Sequence, residues 1–280
     1  MSTIPVTPIA KGGASAEASA FGGHVLTLIG PDSRPVLFLS KRAVLDGSTA
    51  IRGGIPVCLP WFGAPSHSRA SFEGASSSHG FARISDWDLV SSSADSLVLE
   101  LVHRRADRAG VFPHDFRARL SASLDTSGSL ALVLELANED DHPFTADAAL
   151  HSYFAVSDVR DVLVEGLEGA RCVDSPTGAE FVQDGPLRFA GPTDLLCDHQ
   201  GAASIVDPGW NRRIVVEKTG SASTVVWNPW DEAATAMRDL GDEEWTGFAC
   251  VESAFVRERA ATIEAGTSRV MTVRIRVEEI

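Results

Sequence analysis

Val270-Met271-Thr272-Val273-Arg274-Ile275-Arg276-Val277 alternates apolar and polar side chains from Met271 onward, a two-residue period that belongs to a half-buried strand. Working back along the chain, further β-rich runs occur at Val25-Leu26-Thr27-Leu28-Ile29, Val36-Leu37-Phe38-Leu39, Leu97-Val98-Leu99-Glu100-Leu101-Val102 and Leu130-Ala131-Leu132-Val133-Leu134-Glu135-Leu136. Others lie at Val162-Leu163-Val164, Arg213-Ile214-Val215-Val216-Glu217 and Thr224-Val225-Val226-Trp227. The Leu130 run is denser in apolar residues, which predicts deeper burial. Thr126-Ser127-Gly128 joins a strand over 117–124 to the Leu130 run as a hairpin, and Asp207-Pro208-Gly209 and Ala265-Gly266-Thr267 mark further turns. Helical signal is confined to residues 231–240, with Asp231 as N-cap and Gly241 as stop. Many turn-linked antiparallel strands predict an all-β fold of two large stacked sheets with few short helices. Residues 1–20, rich in Ala, Gly, Ser and Thr, are expected to form a flexible tail with at most a first edge strand. Residues 21–280 show no repeat and no compositional break, and are expected to form a single β domain.

The 280 residues are 44% hydrophobic and 22% charged, the balance of a globular protein. A formal net charge of -14 argues against nucleic acid and against an anionic membrane surface as partners, because both are held by clustered Lys and Arg. No apolar run reaches the ~18 residues of a membrane span, and the N-terminus lacks a signal-peptide pattern, so a cytoplasmic location is expected; a monomer or weak oligomer is expected as well. Cys58, Cys172, Cys197 and Cys250 are widely spaced without a C-x-x-C pair, so no metal site is expected and the thiols are read as reduced and mostly buried. The chain has no P-loop, no G-x-G-x-x-G before a helix and no G-x-S-x-G elbow.

Residues 52–83 break the strand rhythm with Gly, Pro, Ser and aromatic residues, and a long loop of that kind inside a compact domain is usually functional. It begins in Ile51-Arg52-Gly53-Gly54-Ile55-Pro56 and ends in His79-Gly80-Phe81-Ala82-Arg83, each motif setting one arginine among glycines and apolar residues. Glycine lets backbone approach a ligand, and the guanidinium fork matches phosphate or carboxylate; the plainer reading is two ordinary salt bridges. His151, in Leu150-His151-Ser152-Tyr153-Phe154, is either a proton donor and acceptor or a buried histidine bonded to backbone. Glu252, after Phe248-Ala249-Cys250-Val251, is either a general base with a raised pKa or a buried carboxylate satisfied by an arginine. Trp227 and Asn228 set an amide beside an aromatic face, which suits a sugar, and Trp61, Trp230 and Phe81 are candidates to extend such a wall.

Taken in order, six segments resemble the aldose 1-epimerase superfamily, and within it the glucose-6-phosphate 1-epimerases, over roughly residues 21–278. They are residues 51–63, His79-Gly80-Phe81-Ala82-Arg83, Pro113-His114-Asp115-Phe116, Leu150-His151-Ser152-Tyr153-Phe154, Val226-Trp227-Asn228-Pro229-Trp230 and Cys250-Val251-Glu252. The resemblance implies a galactose mutarotase-like β-sandwich with its site in a cleft on the concave face, no cofactor, and a hexose 6-phosphate as substrate. It implies His151 as the acid toward the ring oxygen, Glu252 as the base toward the anomeric hydroxyl, and His79 assisting at the same oxygens. Arg52 and Arg83 match the arginines that hold the phosphate, and Asp194 a carboxylate that binds sugar hydroxyls. Acid and base are expected on opposite sides of the reacting centre. The chain departs from the pattern at Ser253-Ala254-Phe255 and in the serine-rich residues 64–78, which bear His67 and Arg69; the second departure bears on which hexose phosphate is preferred. Unphosphorylated sugar as substrate instead predicts that Arg52 and Arg83 are paired with protein carboxylates, and a non-catalytic sugar-phosphate-binding protein predicts a pocket without working acid and base.

Overall fold

A computed structural model describes residues 3–70, 74–107 and 110–280. Ser71, Phe72 and Glu73, within the serine-rich stretch, lie outside the described residues. The first half of the chain forms β1 (Val6–Lys11), β2 (Ala14–Ser19), β3 (His24–Ile29), β4 (Val57–Cys58), β5 (Asp88–Ser92), β6 (Ser96–His103), β7 (Phe116–Leu124), β8 (Leu130–Asn138), β9 (Phe144–Ala146), β10 (Ala148–Leu150) and β11 (Tyr153–Ala155). The second half forms β12 (Leu163–Glu165), β13 (Arg171–Asp174), β14 (Glu180–Val182), β15 (Leu187–Arg188), β16 (Thr193–Asp198), β17 (Ala203–Asp207), β18 (Arg212–Thr219), β19 (Ser223–Asn228), β20 (Phe248–Phe255), β21 (Ala261–Ile263) and β22 (Ser268–Glu279).

Two large antiparallel sheets dominate. One runs β15-β12-β17-β18-β22-β8-β7-β6-β5, the other β14-β13-β16-β19-β20-β10-β4 with β11 also on β20, and β1-β2-β3 and β21-β9 form two small sheets. In β7 and β8 every second residue is buried, including Leu130, Leu132, Leu134 and Leu136, while Ala131, Val133 and Glu135 are only half-buried. The Leu130 strand is thus one-sided like the Val270 strand, because its Val133 and Ala131 face outward and are apolar without being deeply buried. The inward residues meet Leu150, Leu195, Val226 and Val251 of the other sheet in one continuous apolar cluster. β20 differs in kind: all eight of its residues are buried, so its second face is covered as well. That second face is where the polar residues gather.

Three expectations need correction. Residues 6–19 form β1 and β2 of an ordered three-stranded sheet, with Ala14, Ala16 and Ala18 buried at a two-residue spacing, so they are not a flexible tail. The helix α1 covers Trp230–Thr235, one and a half turns, and Asp231 does not cap it; Asn228 accepts the Trp230 N–H instead. The Val36-Leu37-Phe38-Leu39 run makes isolated bridges, Leu37 to Phe154 and Leu39 to Gly53, rather than a strand. The thiols also divide: Cys58 and Cys250 are free and buried, but Cys172 and Cys197 form a disulfide. They face each other across β13 and β16, a juxtaposition set by strand register that a sequence separation of 25 does not reveal.

Candidate active site

The outward face of the second sheet carries two rows of side chains. Asp194, Trp227 and Cys250 are successive partners across β16, β19 and β20, and Leu196, Val225 and Glu252 form the next row. The register pairing Leu150 with Ser253 and Tyr153 with Cys250 puts His151 beside Glu252. Its backbone N–H donates to Pro56 O at 3.0 Å, which fastens it to the glycine-rich loop. The imidazole stacks on Tyr153 at 4.7 Å and 9° and meets the edge of Trp227 at 5.9 Å, which fixes the ring plane. Its Nδ1 lies 3.3 Å from Oε1 of Glu252. Apolar groups flank the pair on both sides, Cys58, Ala149, Val225 and Ala254 on one and Tyr153, Phe248 and Cys250 on the other. His151 and Glu252 therefore sit side by side on one floor.

The two arginine motifs build the wall above this floor, and their glycines are there by necessity. Gly54 sits at φ +63 with Val25 O 2.4 Å from where a Cβ would be, and Gly80 at φ +71 with Leu59 O 1.9 Å away, so any side chain collides with backbone. Through that contact the motifs dock: Phe81 N and Ala82 N donate to Leu59 O, His79 N to Gly63 O, and Gly63 N to His79 Nδ1 at 3.2 Å. Since Nδ1 accepts, the proton of neutral His79 is assigned to Nε2. Buried His24 braces the first motif through Nε2 to Gly53 O at 2.8 Å.

The two arginines are not equivalent. Arg52 is forked on Asp239, Nε to Oδ2 at 3.2 Å and Nη2 to Oδ1 at 3.3 Å, and donates from Nη1 to Tyr153 Oη at 3.0 Å. Arg83 donates from Nη2 to Ser78 O at 2.8 Å and meets no carboxylate among the described residues. Burial pushes the Glu252 carboxyl well above its usual range, the Asp194 charge adds to this, and Arg83 offsets part of it. Burial holds His151 well below its usual value, helped by His79, Arg83 and Arg52. The same causes, burial first and then Arg83 and Arg52, lower His79 to about 3. Burial thus favours the uncharged forms of both His151 and Glu252, whose facing atoms lie 3.3 Å apart with His151 Nδ1 making no hydrogen bond.

Residues 6–276 match the family described as aldose 1-epimerase. The chain belongs to that family. This aldose 1-epimerase family member is 36% identical over 264 residues to a Cenchrus ciliaris protein, covering 90% of this chain and 78% of the relative, and 33% identical over 261 residues to one from Escherichia coli K12, covering 91% and 84%. Both relatives bear the name "Putative glucose-6-phosphate 1-epimerase". The crystal structure of a Salmonella typhimurium protein described as a "putative mutarotase" superposes with a TM-score of 0.88 at 28% identity, covering 100% of this chain and 92% of that one. The strand topology above is accordingly the galactose mutarotase-like fold.

Within the family fold, Arg52, His79, Arg83, His151, Asp194, Trp227 and Glu252 all line one cleft of about 470 Å³. Asn228 does not. It is fully buried, its amide donating to Trp245 O and Phe248 O at 2.9 Å each and its oxygen accepting from Trp230 N, so it secures the β19–α1 corner. Trp61 and Phe81 are core, packed edge to face at 5.9 Å, and Trp230 packs on Trp245 at 4.8 Å. The cleft also takes in His67, Ser175, Met237 and Arg257, which sequence reasoning did not nominate as site residues. Only His67 had drawn notice, as part of the serine-rich loop.

Proposed function

We propose that this protein interconverts the α and β anomers of a hexose 6-phosphate, with glucose 6-phosphate as the leading substrate, by ring opening and reclosure. The observation that carries the reading is the contact between His151 and Glu252 at the floor of a cleft whose wall presents the Arg83 guanidinium. Both reacting oxygens of a hemiacetal, O1 and O5, are bonded to C1, so an adjacent acid and base serve them together. With the proton on His151, Glu252 removes the O1 proton while His151 protonates O5, the C1–O5 bond breaks, and the aldehyde forms. The pair is left as neutral histidine and carboxylic acid, the form that burial of both groups favours. Rotation about C1–C2 presents the other carbonyl face. Reclosure returns the O5 proton to His151 and the Glu252 proton to O1, so the single proton is recovered and no other reactant is consumed.

His79, neutral and with Nε2–H free for an acceptor, donates to the same oxygens, and Asp194 and Trp227 receive hydroxyls and an apolar sugar face. Arg83 binds the phosphate. Arg52 shapes the same wall, but its pairing with Asp239 is what a neutral-sugar enzyme predicts, and this keeps unphosphorylated aldose as the second reading. A phosphorylated hexose is a metabolite of the cell interior, so the proposal carries a cytoplasmic location with it. The test follows freshly dissolved α-glucose 6-phosphate and α-glucose to anomeric equilibrium. Acceleration of the phosphate ester above the buffer rate is expected; acceleration of free glucose alone transfers the assignment to neutral aldoses, and acceleration of neither ends the epimerase reading.

A further inference from the structure

Arg257 is a cleft cation without an ion-pair partner among the described residues. It follows β20 in the turn Arg257–Arg259, at φ +52, a left-handed conformation that a non-glycine residue adopts only where its surroundings hold it. Asp147 does the holding. Its carboxylate is fully buried; Oδ1 accepts the Arg257 N–H at 2.9 Å, and Oδ2 accepts the Phe62 N–H at 3.1 Å and the Ser68 hydroxyl. One carboxylate thus ties together the segments that bring Phe62, His67 and Arg257 into the cleft wall.

The guanidinium so positioned has a buried Nε without a hydrogen-bond partner and makes no ion pair among the described residues. Its neighbours are satisfied. In the adjoining cavity of about 470 Å³, whose wall Arg257 and His67 also form, Arg171 is paired with Glu180 at 2.6 Å and Arg259 with Asp198 at 2.8 Å. At the other end of the catalytic cleft Arg52 is occupied by Asp239 and Tyr153. A buried donor with no acceptor is costly, and a fold that forces an arginine into a left-handed turn to present one is prepared for an acceptor from outside. Asp194 is a cleft acid that feels the Arg257 charge, yet burial keeps its carboxyl raised, which weakens it as a permanent partner.

We infer that Arg257 is a substrate-binding residue, the arm that pairs with the anionic phosphate of the sugar in concert with Arg83, in the role that Arg52 is not free to fill. The inference rests on the hexose 6-phosphate reading. Its chemistry is the matching of a planar fork to a tetrahedral dianion, which lysine reproduces only as a point charge.

The experiment compares wild type, Arg257→Met and Arg257→Lys with α-glucose 6-phosphate and α-glucose, and measures binding of inorganic phosphate by calorimetry. Arg257→Met keeps the apolar stem and removes the fork. The expected result is a KM for the phosphate ester raised on the order of 10- to 100-fold with kcat nearly unchanged, KM for glucose unmoved, partial recovery in Arg257→Lys, and phosphate binding weakened by a similar factor. Equal losses on both sugars, or no loss on either, overturn the assignment, since a merely structural turn does not discriminate between them. If wild type binds phosphate without accelerating the ester, the functional reading fails while the phosphate titration still decides Arg257: unchanged affinity in Arg257→Met overturns it, and weakened affinity sustains the anion site. A variant whose circular dichroism departs from wild type is replaced in this comparison by Arg257→Lys, for which an unchanged KM and phosphate affinity with α-glucose 6-phosphate overturns the bidentate pairing.

Discussion

Replacing Glu252 by Gln, His151 by Asn, and both together, probes whether the pair acts as one unit. Glu252 is 1% and His151 6% exposed, and burial favours their uncharged forms, so Gln and Asn leave no charge stranded and the fold should tolerate each change. Activity should not. Each change removes one end of the exchange across 3.3 Å, and a positioned acid or base is typically worth 10²–10⁴-fold, about 3–5 kcal/mol of barrier. If the ring-opening step needs both ends at once, the second substitution removes nothing further, and the double variant should match the worse single variant rather than the product of the two. The assay is polarimetry of α-glucose 6-phosphate across temperatures at which all variants show native circular dichroism. Independent, multiplying losses would refute the shared-proton mechanism even if both residues proved essential, and a Glu252→Gln variant within threefold of wild type would remove Glu252 from the chemistry.

Protonation supplies a second expectation. Activity needs the pair to hold one proton, so kcat/KM should be flat around neutrality, fall on the acid side only as His151 gains its proton well below its usual value, and fall on the alkaline side as Glu252 ionises well above its own; a narrow bell centred near the ordinary histidine pKa would contradict it. Arg83→Ala should raise KM for the phosphate ester by about tenfold or more with little change in kcat, because a charge-assisted bond to a remote group is made alike in ground and transition states; an unchanged KM removes it from the site. Asn228→Ala should lower stability by about 3 kcal/mol, as buried Phe248 O and part-buried Trp245 O and Trp230 N lose their partner, while kcat/KM per folded molecule holds; a selective loss of activity at full stability would return Asn228 to the cleft. For buried His24, lowered to about 4, the unfolded chain takes the proton first as pH falls below 6.5, so stability drops by about 3 kcal/mol by pH 4. Urea titrations of His24→Gln should show that much less acid sensitivity than wild type, and identical slopes would sink the argument.

The strands were legible where a two-residue period coincided with bulky side chains, as in β6, β7, β8 and β22. The same period in Ala14, Ala16 and Ala18 went unread because alanine is a poor strand former, although these residues are buried as regularly as the leucines of β8. The Val36-Leu37-Phe38-Leu39 run erred the other way: its composition favours a strand, but its neighbours offer single bridges rather than a ladder. Gly54 and Gly80 were legible in the arginine motifs and led directly to the cleft wall. Ion pairs were not. Arg52 finds Asp239 187 residues away, and Arg257 is aimed by an aspartate 110 residues before it, so nothing local distinguishes the occupied arginine from the unoccupied one.

Glu252 shows why the floor of the site was nonetheless readable. A strand with one wet face can place a carboxylate outward at no cost, so a glutamate in β8 or β22 says little about function. In Phe248-Ala249-Cys250-Val251-Glu252 the residues before the carboxylate are apolar at both parities, which excludes an open solvent face and points to a buried acid. A buried carboxylate demands either a fixed cation or a proton. Among the described residues Glu252 makes no ion pair with an arginine; its Oε1 faces His151 Nδ1 at 3.3 Å, and burial favours the uncharged form of both groups, which meets that demand with a proton. The burial that makes Glu252 anomalous as a strand residue is thus also what the proposed proton transfer to and from a sugar calls for.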